Sequence, residues 1–161
     1  MDILDQAILF EYEGHKFYSE QAAKAKNAGV RGILENLAKD ELDHAAFLES
    51  LKAGARREFP PSPTMSNIRK IIETHSVKKE SFLAEDADLL ETLKTALEFE
   101  DRARKHFEDE ALTSVDGETA TLLKLLAREE EKHFHLINNL IRFIDNPGSL
   151  LETQEFQRYH D

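Results

Sequence analysis

Cysteine is missing altogether from the 161 residues. That excludes disulfides, thiolate zinc sites, cysteine-ligated iron–sulfur centres and cysteine nucleophiles, so any metal or redox chemistry must rest on oxygen and nitrogen ligands. Glycine (6) and proline (4) are few, which excludes collagen-like, disordered and turn-rich chains. No stretch approaches the roughly 18 consecutive apolar residues of a membrane span. The N-terminal Met1-Asp2-Ile3-Leu4-Asp5-Gln6 has neither the basic nor the apolar region of a signal peptide. A cytoplasmic protein without a membrane partner is expected. Basic residues are outnumbered, 21 against 32, for a net charge of −11. Such a field repels phosphate backbones, so no nucleic-acid partner is expected, while cations are attracted. The composition, 40% hydrophobic and 33% charged, is that of a soluble helical protein, and the length suits one domain, residues 1–161.

Apolar residues recur at helical spacing. Leu4, Ala7, Ile8, Tyr18 and Ala22 form one stripe, and Leu34, Leu37, Ala38, Leu48 and Leu51 another. With Asn27 and Gly29 punctuating the junction, residues of about 3–56 read as an αα-hairpin that Pro60, Pro61 and Pro63 terminate. The second half does the same, in a hairpin of about 89–145: Leu93, Ala96, Leu97, Phe107 and Ala111, a turn at Asp116-Gly117, then Leu123, Leu126, Ala127, Ile137 and Leu140, closed by Pro147-Gly148. Sliding residues 3–52 onto 92–141, an offset of 89 without a gap, gives 12 identities in 50 positions, where chance gives roughly three; this is an internal duplication. Between the hairpins, residues of about 57–88 contain the proline cluster and a short helical candidate at about 67–73. A helix of about 28 residues is about 42 Å long, and a connection of this size can run that whole length. The expected architecture is an all-α four-helix bundle of two duplicated αα-hairpins with one long crossover, followed by a tail, 146–161.

The duplication carries two acids and a histidine per copy. Glu11, Glu41 and His44 match Glu100, Glu130 and His133. All lie on apolar stripes rather than charged faces, so they should point inward, and each lies roughly 20 to 25 Å from its hairpin turn at 1.5 Å per residue. Four buried carboxylates cannot all stay ionised side by side without counter-charge; two divalent ions supply it. One Glu on each of two helices plus Glu-x-x-His on the other two is the ligand set of di-iron and di-manganese carboxylate bundles. Oxygen and imidazole donors without thiolate suit iron or manganese, with zinc as a substitute.

The strings Ala7-Ile8-Leu9-Phe10-Glu11…Phe17-Tyr18 and Leu37-Ala38-Lys39-Asp40-Glu41-Leu42-Asp43-His44, with their second-half counterparts, resemble the ferritin-like superfamily, most closely its rubrerythrin-type members, over residues of about 3–145. The resemblance implies a ferritin-like bundle with two iron ions per chain. Glu41 and Glu130 would bridge the metals, Glu11 and Glu100 would be terminal carboxylates, and His44 and His133 would each cap one ion. Two such metals can jointly supply two electrons to an O–O bond, so the expected reaction is reduction of hydrogen peroxide or dioxygen. The sequence departs from rubrerythrins proper twice. It lacks the four-cysteine rubredoxin module, so electrons must come from an external donor, and Ala103 stands where they carry an additional Glu one turn after the third-helix ligand. Gly14 is the first-helix equivalent, and both small residues leave room beside the metals.

Tyr18, two turns after Glu11, is a candidate hydrogen-bond donor or radical sink, although core packing is the commoner role of such an aromatic; Phe107 stands at the equivalent place. His15, His106 and His135 are not expected among the ligands, with a bond to a ligand carboxylate most plausible for His15. Asp40, Asp43, Glu129 and Glu131 are expected on the solvent face. The apolar tail residues Leu150, Leu151, Phe156 and Tyr159 are expected to fold back or to meet another subunit, in a homodimer or higher homo-oligomer. The same ligands would serve an iron-handling ferroxidase, and a metal-free helical interaction module is the third reading.

Overall fold

A computed structural model describes residues 2–75, 82 and 84–145. Five helices and no strand occur among them, which makes the chain all-α, as a ferritin-like bundle requires. They are α1 (Ile3–Lys24), α2 (Ala28–Lys52), α3 (Thr64–His75), α4 (Leu89–Thr113) and α5 (Gly117–Asp145). The chain divides into two compact units, Met1–Leu89 and Leu90–Asp161. None of the described helices is long and apolar enough to cross a membrane. The tail residues named above, Pro147-Gly148 and the pair Lys78-Lys79 lie outside the described residues.

In the first unit, α1 starts at Asp2, whose side chain accepts from the Asp5 amide at 2.8 Å. The buried positions of α1, Ala7, Glu11, Gly14, Tyr18 and Ala22, step by three or four, the spacing of one helix face. The chain turns at residues 25–27, and Asn27 caps α2, its Oδ1 accepting from the Val30 amide at 3.1 Å. Gly29, expected in this junction, lies instead buried in the first turn of α2. Across the hairpin Leu34, Leu37, Ala45 and Leu48 are sealed from solvent, each buried leucine contributing about 1.5–3 kcal/mol of transfer free energy. Lys52 of α2 reaches back to Asp5 of α1.

Gly54, not the prolines, ends α2. Its φ of +91° lets the Gly54 amide bond Leu51 O at 3.0 Å and the Ala55 amide bond Ser50 O at 2.9 Å, the paired bonds of a glycine-terminated helix. The hairpin therefore stops before residue 56. The crossover then runs back along α2, from its C-terminal end to its N-terminal end. Phe59 packs on Phe47, Ser62 and Thr64 bond Asp40, Asn67 donates to Asn36 at 2.9 Å, and Asp86 reaches the hairpin turn at residues 26 and 27. The helical candidate at 67–73 proves longer, because Pro63 sits just outside the first turn, where its missing N–H costs nothing and its carbonyl accepts from Asn67 N at 2.8 Å. The close approach of α3 to α2 needs Gly32: a Cβ there would stand 3.0 Å from Ile71 Cδ1.

In the second unit the stripe of α4 is Leu93, Ala96, Glu100, Ala103, Phe107 and Ala111, all buried, again in steps of three and four. Asp116 caps α5: its carboxylate accepts from the Glu118 and Thr119 amides at 3.3 Å and from Thr119 Oγ1 at 2.6 Å. Leu123, Leu126, Leu136 and Ile137 of α5 are fully buried.

Candidate metal centre

Each unit brings its own acids and imidazole together. In the first, Glu11 rides the buried stripe of α1, and Glu41 and His44, one turn apart, ride that of α2; their relative exposures are 0%, 1% and 2%. One ligand atom from each lies within 4.8 Å of the others, and His44 Nδ1 stands 3.3 Å from Glu11 Oε2. In the second, Glu100, Glu130 and His133 are exposed by 0%, 1% and 3% and meet the same distance criterion. His133 Nδ1 lies 3.4 Å from Glu100 Oε1 and 3.7 Å from Glu130 Oε2. The 89-residue offset thus reproduces a local geometry and not merely a pattern of letters.

Two carboxylates and one imidazole, sealed from water and converging by a shared face, fit a divalent cation. Metal–ligand bonds of about 2 Å hold ligand atoms up to about 4 Å apart, close to the spacing found. Burial of two carboxylates in one place is costly unless positive charge accompanies them, and the donors are the hard oxygen and imidazole types that suit iron, manganese or zinc.

The remaining candidates sort by contact. Tyr18 is fully buried on the same stripe as Glu11, its ring edge-on to Phe17 at 5.4 Å; Phe107, its second-unit counterpart, is equally buried. His15 donates from Nδ1 to the Ala38 carbonyl at 2.9 Å, tying α1 to α2 rather than bonding a ligand carboxylate through that nitrogen. His135 faces Glu131 at 3.6 Å on the helix surface, and His106 lies against the Phe107 ring; none of the three is in either ligand group. Gly14 and Ala103 are both buried. Asp43 pairs with Lys39 one turn away and Glu131 is exposed, whereas Glu129, expected on the solvent face, has a side chain only 12% exposed that pairs with Lys132 at 2.9 Å.

Asp40 is a correction. It is only 5% exposed, because the crossover covers it: Ser62 Oγ and Thr64 Oγ1 donate to its Oδ1 at 2.6 and 2.8 Å. Phe59, whose ring lies 5.1 Å from that of His44, is the neighbour of the site that helical periodicity does not reveal. The only hint in the sequence is an isolated aromatic just before the prolines.

The rubrerythrin family model matches residues 2–141. The chain belongs to the rubrerythrin family. That family is one of the ferritin-like di-iron proteins, and the six buried residues all lie within the matched span. Rubrerythrin-type proteins typically bind iron, in keeping with the donors here. No curated protein and no solved structure matches the chain.

Proposed function

We propose that the two Glu₂His groups act together to hold two iron ions per chain, with manganese as a possible and zinc as a substitute metal, and that the protein reduces hydrogen peroxide or dioxygen with electrons from an external donor. The observation that supports this is the repetition, in both halves of a rubrerythrin-family chain, of two carboxylates and one imidazole buried to 3% exposure or less. Glu41 and Glu130 would bridge the metals, Glu11 and Glu100 would each hold one from the side, and His44 and His133 would each cap one. Two iron ions, when bound, supply two electrons jointly and the Lewis acidity that an O–O bond needs.

What the chain itself contributes follows from burial. Four carboxylates match four positive charges, so the loaded site is neutral apart from its substrate. The apolar stripes around the ligands exclude bulk water, which strengthens every charge interaction within. Gly14 and Ala103, the small buried residues one turn after Glu11 and Glu100, would leave room beside the metals for peroxide or dioxygen. Tyr18 would offer its hydroxyl as a proton or hydrogen-atom donor.

The test is elemental analysis of purified protein beside a Glu41→Ala, Glu130→Ala double variant, followed by peroxide turnover under anaerobic reduction. About two iron or manganese atoms per chain, lost in the variant together with peroxide turnover, is the expected result. Peroxide or dioxygen consumed only in proportion to the ferrous iron oxidised, without sustained turnover from an external donor, would favour iron handling, a reading that the buried Ala103 supports because rubrerythrins proper carry a further carboxylate there. A cage-sized assembly in solution would support it further, and a dimer would count against it. Absence of metal after anaerobic reloading, with unchanged thermal stability, would leave the helical interaction module.

A further inference from the structure

The two ligand-bearing helices of the first unit are tied together by a side chain outside the ligand set. His15 lies four residues after Glu11 on α1, about 6 Å along the axis, and its Nδ1 reaches the Ala38 carbonyl at 2.9 Å. Ala38 comes three residues before Glu41 on α2. A carbonyl oxygen can only accept, so Nδ1 carries the proton. The same oxygen keeps a second lone pair for the amide of its own helix four residues on, so the bond displaces none of the bonds within α2. Two further side chains link these helices, Tyr12 to Glu49 at 2.9 Å and Lys52 to Asp5. Both of those bonds are exposed, and there water competes for donor and acceptor alike. The His15 bond is half-buried. It also lies about one turn from a ligand on either helix: from Glu41 on α2 and, on α1, from Glu11, whose Oε2 stands 3.3 Å from His44 Nδ1.

We propose that His15 is a positioning residue for the ion that Glu11, Glu41 and His44 take. Its bond to Ala38 fixes the slide and roll of α1 against α2, and so holds the Glu11 carboxylate in register with the two ligands of α2. This rests on the metal reading above. The physical cause is direction. Burial of apolar stripes is favourable without being directional, so packing alone tolerates small slides of one helix along the other. A hydrogen bond weakens steeply away from its preferred length and angle, and metal ligands need placement within about 0.5 Å. His15 supplies a directional restraint at the level where that placement matters.

Anaerobic titration of the full-length protein with ferrous iron against a competing chelator tests this. In His15→Leu, which keeps apolar bulk and removes the donor, at least one ferrous ion per chain should bind about tenfold more weakly than in wild type, the lower end of what losing a residue that orients metal ligands costs. His15→Asn places an amide N–H as many bonds from Cβ as Nδ1 and should bind as wild type does. A residue that only packs would be replaced better by Leu, the better helix former and the more apolar, whereas a positioning donor is replaced better by Asn. His15→Phe, a ring without the donor, should weaken binding as His15→Leu does and takes its place if that variant does not fold. Wild-type affinity in the variants without the donor, or equal weakening in His15→Asn, would overturn the positioning role while iron uptake by the wild type leaves the metal reading standing. A wild type that takes up no ferrous iron would overturn both.

Discussion

At the scale of single residues, the candidate centre is a balance between burial and charge. Glu11 and Glu100 are fully sealed beside imidazoles and second carboxylates. Without metal their charge is a burden on the fold; with metal it would hold the cations. Replacing both by Gln should therefore act in opposite directions in the two forms. The stripped Glu11→Gln, Glu100→Gln protein should melt a few degrees above stripped wild type, since neutral isosteres relieve about 1–4 kcal/mol of buried-charge cost. It should gain little on adding ferrous iron, whereas wild type should gain strongly because ligands that bind only the native state stabilise it. Calorimetric melting of the four samples checks both signs. Asp116 is a second case. Its carboxyl is held below the ordinary 3.8 first by the Thr119 side chain and then by the Glu118 amide. A depressed carboxyl stabilises above its unfolded value and loses that contribution as pH falls through the folded one. Asp116→Ala should thus melt lower than wild type at pH 7, and the gap should shrink as pH drops below about 3.8. Melting curves over that range would show it.

At the scale of elements, helix ends and crossings decide more than propensity does. Gly54 stands at φ +91° with nothing near its would-be Cβ, so Gly54→Ala should cost only backbone strain, about 1–2 kcal/mol, read as a shift in the urea midpoint without a change in slope. The helices, their stripes and the six inward residues were legible because a duplicated 3.6-residue period states them twice: Glu11 and Glu100 sit on stripes of small and apolar neighbours, and Glu41 and His44 recur as Glu130 and His133. What was not legible depends on contacts between distant parts of the chain. Asp40 reads as surface within α2 and is buried only because Ser62 and Thr64 arrive from the crossover. Phe59 belongs to no periodic segment, so nothing local places it on His44. In the sequence three prolines overshadow one glycine as the end of α2, yet helix termination needs only one residue with positive φ, and Gly54 supplies it.

At the scale of the whole molecule, two copies of one hairpin have diverged unequally. The ligand triplets were kept in both. Their surroundings were not: Tyr18 faces Phe107 across the alignment, Gly14 faces Ala103, and His15, bonded to the Ala38 carbonyl, faces Arg104. A metal site needs its ligands in register, whereas the residues around them are free to differ. Removing metal should therefore lower the melting temperature of the entire chain and leave its helical content largely intact, because the apolar stripes persist without the ions. Circular dichroism of stripped and reloaded protein measures both.

The far end of the crossover has a consequence for dynamics. The backbone amides of Lys26 and Asn27 end on the two oxygens of Asp86, each at 2.9 Å and across 60 and 59 residues of chain. At the tip of a hairpin such amides would ordinarily exchange with solvent freely. Their deuterium uptake is thus a natural clock for undocking of the connection between the two halves, readable at two residues while the cores of α1 and α2 stay closed.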